Sequence, residues 1–459
     1  MIKNKCGVVL SLLLVLGLGL FTAGCGNTQP AGEDNNPDSL TIAVVSKDTY
    51  LDTAVKKFEE LHPGVSVEVK EYTSSTLEKG EGVKAAEPGD IEKYVTAMNT
   101  QLMSGQGSDI ILLNNLPYQT YADKHLLVDL GGLMQSDQSF NSGKYYQNIF
   151  KALEYKDKLY GLPVNITIDM IAADRTLLAD SRVQIDDSSW DWNDFVKTAE
   201  KVINDNPNGG TGEIYALAGM DEKRLIATLV KENYNSLVDP EKKTANFTGR
   251  EFLDLLNLSK YLIDHKLVNT DIAQTNIMDM ASRGNLVFNF TSLKGFWDLQ
   301  VAKAIFSEGV QLLKPPGKVY FSTDSMYGIS SKSAHQELAW EFLKFLVSDE
   351  MMTQGGMPIN KSVLSQIAQN FTQAIQKNGG IMRIKDDGIP AQSITLHPPT
   401  QEDVEYMENL LSQANAYVGT DQKIISIVQE ETAAFFTGQK TAETTAQLIQ
   451  DRVSTYLNE

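Results

Sequence analysis

Amides, carboxylates and aromatic rings recur in this sequence just beyond short apolar runs. Lys47, Asp48 and Tyr50 follow Leu40–Val45, and Asn114 and Asn115 follow Asp109–Leu113. Asn289 follows Leu286–Phe288, with Phe296 and Trp297 further on, and Asp324 and Tyr327 lie around a loop ahead of another short strand. In open α/β sheets, ligands bind beyond the carboxyl ends of strands, so these positions are candidates for holding a small molecule. The mixture suits a hydroxylated solute, above all a sugar. Amides and carboxylates replace water at hydroxyl groups for about 1 kcal/mol net each, and a ring such as Tyr50 or Trp297 packs on the C–H face of a pyranose. Trp340, beside an apolar stripe, reads as core, and Trp190 and Trp192 read as packing at a helix start.

Spacings that would mark catalysis are missing. The histidines, His62, His125, His265, His335 and His397, form no metal-ligand pair. There is no P-loop and no Gly-x-Ser-x-Gly elbow, and two cysteines, Cys6 and Cys25, cannot build a cysteine zinc site. No catalytic residue, metal or cofactor is therefore expected. With 59 acidic residues, a pair of carboxylates flanking a glycosidic bond stays open as the hydrolase alternative.

The elements that must position the candidates alternate. Leu40–Val45 reads as a buried strand, and Leu51, Val55, Phe58 and Leu61 follow at helical spacing. His62-Pro63-Gly64 stops that helix, and Val65, Val67 and Val69 alternate as a second strand. The spacing predicts further helices over 91–102, over 195–203 after a Ser188-Ser189 cap, over 252–262 after a Thr248/Glu251 capping box, over 338–346, over 402–416 and over 441–457. Helices alternating with strands imply an α/β body with helices covering mostly parallel sheets.

The first residues and the charge bound where such a body would work. Lys3 and Lys5 precede an apolar run from Val8 to Phe21, followed by Thr22-Ala23-Gly24-Cys25. The run is short of the roughly 20 residues a spanning helix needs, and its flanks are those of a secretory signal. Small residues before a cysteine resemble a bacterial lipobox, which implies a signal peptide over 1–24 and acylation (palmitate) at Cys25. The polar, Gly/Pro-containing stretch 25–39 would then be a flexible leash. Loss of Lys3 and Lys5 takes the formal charge from −19 to −21, which disfavours nucleic acid and anionic membrane surfaces as partners.

Several segments resemble the family-1 extracellular solute-binding proteins of ABC importers, relatives of maltose-binding protein. They are His62-Pro63-Gly64-Val65-Ser66-Val67, Gly107-Ser108-Asp109-Ile110, Asp157-Lys158-Leu159-Tyr160-Gly161-Leu162-Pro163-Val164, Ser189-Trp190-Asp191-Trp192-Asn193-Asp194-Phe195, Ala339-Trp340-Glu341-Phe342-Leu343-Lys344-Phe345-Leu346 and Thr437-Gly438-Gln439-Lys440-Thr441. Ile171-Ala172-Ala173-Asp174 departs from the Tyr-Tyr-Asn that the family often carries. The resemblance implies a two-lobed, periplasmic-binding-protein-like (type II) fold with discontinuous lobes: 40–163 with 290–358, and 164–289 with 359–459. It places crossings near Gly161–Asp169, Phe288–Thr291 and Met357–Asn360, with Asn165 and Asp169 at the first. It further implies a monomer without enzymatic activity, lipid-anchored on the outer face of the cell membrane, that closes on a sugar and delivers it to an ABC permease. A non-sugar solute, or a co-receptor reporting to a sensor kinase, are the other readings.

Overall fold

The structure, a computed structural model, describes residues 39–73, 88–206, 212–273, 275–306, 309–316, 319–354, 356–386 and 389–458. The expected signal segment, Cys25 and all of the leash but Ser39 lie outside the described residues. Among the described residues, no helix is long and apolar enough to cross a membrane.

The chain opens as a β-α-β unit. Strand β1 (Ser39–Val44) leads to helix α1 (Thr49–Leu61), whose first turn is capped by Asp48 accepting from the Leu51 N–H at 2.7 Å. Leu51, Ala54 and Phe58 form its buried stripe. The helix stops before His62-Pro63, and Gly64 turns the chain at φ +102°, a region that disfavours any side chain. Strand β2 (Ser66–Glu71) returns parallel to β1, pairing Leu40 with Val67 and Ile42 with Val69. After α2 (Pro88–Ser104), β3 (Ile110–Leu112) adds to the other edge of β1, also parallel.

Then follow β4 (Leu162–Pro163), the ten-residue β5 (Asn165–Asp174), α3 (Trp192–Asp205), α4 (Glu222–Glu232), α5 (Arg250–Asp264), β6 (Phe288–Leu293), α6 (Phe296–Ile305), β7 (Val310–Leu313), β8 (Tyr320–Ser322), β9 (Met326–Ile329) and α7 (Gln336–Leu346). Strand β10 (Met357–Pro358), α8 (Leu364–Asn378), a hairpin of Ile381–Asp386 with Ile389–Thr395, α9 (Gln401–Gln413), β11 (Ala416–Tyr417), α10 (Gln422–Phe436) and α11 (Ala442–Asn458) complete the chain. Two starts differ from expectation. Helix α3 is capped by a box of Asp191 and Asp194 rather than by Ser188-Ser189. Helix α5 begins after Gly249 with no side-chain cap, and Glu251 instead accepts from the Ser236 hydroxyl at 2.5 Å.

Two sheets result. The first has the order β2-β1-β3-β9-β4, and β9 runs antiparallel to β3 and β4. The second is built on β5, which pairs antiparallel with β6, β7, β8 and β10, while β11 lies parallel to β8. The expectation of mostly parallel sheets therefore fails in the second: a strand before a helix has the same pattern whichever way its neighbour runs. Two main cores form, and Ile166, Ile168 and Met170 of β5 in the second sheet pack with the first of them. Ile42, Phe58, Ile110 and Leu343 belong to the first, and Phe195, Leu225, Phe252, Phe288 and Val428 to the second. Val363, Leu364, Met407 and Leu411 join the first core, although the sequence-based division places them with the second lobe.

Val164 alone joins β4 in the first sheet to β5 in the second. Thr323–Ser325 carry the chain back from β8 to β9, and the Val164 N–H donates to the Ser325 carbonyl at 2.8 Å. The second crossing is thus at Thr323–Ser325, not near Phe288–Thr291, because every residue of β6 pairs with β5. Strand β10 pairs with Asn165 and Ile166 of β5, but the chain on both sides of it belongs to the first core, and the passage to the second core comes only after Ala414, through β11, rather than near Met357–Asn360.

The first lobe is held at its base by a buried carboxylate. Asp109, 8% exposed, accepts from the Thr41 N–H at 2.8 Å, the Thr41 hydroxyl at 2.7 Å and the Ser333 hydroxyl at 2.6 Å. It thereby ties β1 and the β3 start to the segment before α7. Asp109→Ala is expected to cost about 2–4 kcal/mol of unfolding free energy, since a charged acceptor and its buried donors are separated, as read by urea titration. A loss below about 1 kcal/mol would contradict this clamp.

Candidate functional site

The pleat of the second sheet places one polar row beside the crossings. On β5, Thr167 and Asp169 point to the same face, because side chains alternate along a strand. Ser322 of β8 pairs with Thr167, and Ser292 of β6 pairs with Asp169. Two residues further along each neighbour, Tyr320 and Phe290 share that face. The Ser292 hydroxyl donates to the Asp169 carboxylate. Further up β5, Ile171 and Ala173 on this face are buried in the second core, so the row is the end of the sheet nearest the crossings. Trp192, opening α3, lies over Phe290 with ring centroids 6.3 Å apart. Its indole N–H is buried and has no acceptor among the described residues.

Glu232, the last residue of α4, is a further buried acid. It is 7% exposed and no hydrogen bond or ion pair to a described residue holds its carboxyl. Burial first, and the charge of Asp169 second, push that carboxyl up to about 8. Tyr320 in turn is raised, by burial and by the charges of Glu251 and Glu232. Sequence reading passed over Glu232, yet a signal existed: with Leu225 and Leu229 it falls at i, i+4 and i+7 on the apolar stripe of its helix.

The expected residues divide into those the fold uses and those it leaves at the rim. Lys47 is engaged by Asp52 at 2.7 Å, and its N–H donates to Glu71. Tyr50 donates to the Leu346 carbonyl at 2.6 Å, which ties α1 to α7. Asn114 donates to the Thr323 carbonyl and accepts from the Met326 N–H at 2.8 Å, so its amide staples the end of β3 to the second crossing. Tyr327 is buried inside β9 beside Asp48 and Tyr50, and burial and the Asp48 charge raise its phenol well above the ordinary tyrosine range. Asn289 lies within β6 rather than beyond a strand. Three residues from Ser292, it faces the opposite side of the sheet.

Asp48 and Asn115 stay exposed at the ends of the first sheet, Asn115 in the left-handed region at φ +63°. Asn165 is half-buried at the start of β5 against Pro358. Asp324 forms an exposed ion pair with Lys294 at 3.4 Å. Trp297, 47% exposed on the first turn of α6, leans edge-on against Phe371 at 6.3 Å. Tyr417 of β11 relates both sides. Burial and the Asp324 charge push its phenol up to about 12, its charge also bears on Tyr118, and its carbonyl accepts from Asn235 at 2.6 Å. The described residues hold no cluster of three or more metal-ligating groups.

A family model, bacterial extracellular solute-binding protein, matches residues 43–353. The chain belongs to this family. Among solved structures, the sugar-binding protein MalE from Xanthomonas citri superposes with a TM-score of 0.62 at 13% identity, covering 92% of this chain and 97% of that one. A family-1 extracellular solute-binding protein from Alicyclobacillus acidocaldarius gives 0.60 at 16%, covering 92% and 98%. An ABC substrate-binding protein from Listeria monocytogenes in complex with cycloalternan gives 0.55 at 17%, covering 92% and 99%. These likenesses establish the two-lobed α/β fold. The extracellular solute-binding family is a binding class rather than an enzymatic one.

Glu232 makes a signed prediction for the unliganded protein. Below about pH 4.5 the carboxyl is protonated folded or unfolded and costs nothing; between there and about 8 only the unfolded chain releases the proton. Stability therefore falls as pH rises through that window, and levels off above it. Glu232→Gln is expected to flatten that slope and raise stability at about pH 8 by about 1–3 kcal/mol, as read by thermal melts across pH. Parallel pH profiles for both proteins would contradict the assignment.

Proposed function

We propose that this chain captures a mono- or oligosaccharide between its two lobes, outside the cell, and delivers it to an ABC permease. The observation that carries the reading is the row Tyr320, Ser322, Thr167, Asp169 and Ser292, flanked by Phe290 and Trp192. It offers hydroxyl and carboxylate partners beside aromatic faces, which is what a polyol ring with an apolar C–H face requires. The neighbours add support: the Listeria protein was solved with cycloalternan, and a further one, from Thermotoga lettingae, with α-D-tagatose, at TM-score 0.51 and 18% identity over 92% of this chain.

Capture works through the crossings. A solute that touches the row and the first-lobe rim at Asp48, Asn115 and Asp324 reaches both only when the lobes are shut, so it shifts the equilibrium toward the shut form. A monomer is enough for this. The anchored position follows from Cys25 and the segment before it.

Two measurements test the reading. Titration calorimetry of the purified chain against a panel of mono- and oligosaccharides is expected to find at least one ligand, with Asp169→Asn and Trp297→Ala each weakening it by about 10- to 100-fold. Silence across the whole panel would sink the sugar assignment. Metabolic labelling with palmitate in a bacterial host is expected to mark the chain and to vanish in Cys25→Ser. Label surviving that change would remove Cys25 as the anchor.

A further inference from the structure

Side-chain amides hold the main chain where it passes between the lobes. At the second crossing, Thr323–Ser325, the Asn114 amide donates to the Thr323 carbonyl, and its oxygen accepts from the Met326 N–H at 2.8 Å. The two contacts fall at the two ends of the crossing. Within the turn, the Thr323 hydroxyl accepts from the Ser325 N–H at 3.2 Å. At the passage after Ala414, the Asn148 amide donates to the Leu411 and Ala414 carbonyls at 2.8 and 2.7 Å. Asn235 donates to the Tyr417 carbonyl at 2.6 Å. Asn148 belongs to a helix of the first core, Gln147–Leu153, and Asn235 to Tyr234–Leu237 in the second. The first-lobe side of the joint has no slack. A Cβ at Gly161 would sit 2.7 Å from Met326 Cγ, and one at Gly328 would sit 2.8 Å from Leu113 Cδ1 and 2.9 Å from the Tyr160 carbonyl oxygen. Met326, Leu113 and Leu162 are buried there.

Close packing transmits rotation instead of absorbing it, so bending between the lobes falls to Val164 and Thr323–Ser325. A hinge works by changing backbone dihedrals at a few such residues. Changing those of Thr323–Ser325 alters the spacing between the Thr323 carbonyl and the Met326 N–H. The planar Asn114 amide, anchored just beyond the end of β3 and bonded to both, opposes that change until one bond is given up. We infer that Asn114 is a positioning residue for capture. Both ends of its amide are already engaged, so it acts on the hinge instead of on the solute, and it sets how readily the lobes leave their resting angle. This rests on capture by lobe closure, and not on the solute being a sugar.

Double electron–electron resonance on the unliganded full chain tests it. Cys6→Ser and Cys25→Ser remove the chain's own thiols. Spin labels then go on Glu68→Cys of β2 and Lys201→Cys of α3, both exposed positions. The parent is expected to give one narrow distance between the lobes. In Asn114→Ala, the ratio of molecules outside that peak to those inside it is expected to rise at least about fivefold, the ratio that one net hydrogen bond sustains. Asn114→Asp keeps the acceptor for Met326 and loses the donor to Thr323, so it shows the same broadening should the alanine variant fail to fold. Tyr50→Phe, which removes a bond inside the first lobe, is expected to lower the melting temperature and leave the distances unchanged. Unchanged distances in a folded Asn114 variant, or equal broadening in Tyr50→Phe, overturn the inference. Neither result touches the sugar reading, because no ligand is present, and silence across the sugar panel leaves the hinge assignment standing.

Discussion

Ten residues, Asn165–Asp174, hydrogen-bond to four antiparallel neighbours, and the strand that feeds them leaves the first sheet through Val164 alone. The Val164 N–H is itself bonded to Ser325 on the returning crossing. Two crossings that are paired to each other can rotate only together. Everything laid on β5 then turns with it: the row on one face with the second core beyond it, and on the other face Ile166, Ile168 and Met170, which pack in the first core. Asp169 sits five residues from the pivot, close enough to face the first lobe yet rigidly part of the second. On the proposed reading, a ligand contact at Asp169 would therefore act on the angle between lobes, whereas the same carboxylate on a loose loop would merely follow the ligand.

The energetics of the row run against stability and in favour of binding. Burying Glu232 without a partner costs free energy that the fold recovers elsewhere, in cores such as those around Phe58 and Phe252. The same fold satisfies Asp109 and Asp403 completely, so the chain does not lack the means to partner a buried acid. At the rim the balance is lighter. The exposed Lys294–Asp324 pair is worth at most about 1 kcal/mol, so a ligand or the opposing lobe can displace it cheaply. A costly unpartnered group inside and easily exchanged pairs outside make a site in which the guest, not the apo protein, completes the hydrogen bonding.

Local chemistry made much of the fold legible. His62-Pro63-Gly64 ends α1 because proline cannot continue a helix and Gly64 takes φ +102°, and the alternating valines of β2 land in register on β1. What failed to show was pairing. Leu286–Phe288 looked like a strand with Asn289 just beyond it, but β6 continues to Leu293, and its partner β5 lies more than a hundred residues upstream. The same blindness hides the second crossing and the partners that several candidate residues already have. Lys47, Tyr50 and Asn114 are polar residues at strand ends, and nothing local reveals that Asp52, Leu346 and Met326 claim them. Asp169 is a candidate in the sequence because it lies near a crossing, whereas the burial of Glu232 does not show there because a helix-terminal acid is ordinarily read as solvated.

A binding protein that closes must not close too well on its own. On the proposed reading, a row that was neutral and fully self-bonded would let the shut form be reached without a guest, and a permease could not tell loaded from empty. Asp169 works against that, because shutting the lobes without a ligand strips water from a carboxylate whose one described partner is the Ser292 hydroxyl. A donor-rich ligand would remove that penalty. The difference in free energy between loaded and empty closure would then come from the carboxylate's restored partners as well as from the other hydrogen bonds the ligand forms. By that logic, removing the Asp169 charge should stabilise the empty shut form even as it weakens binding, which would make Asp169 part of the gate as well as of the site.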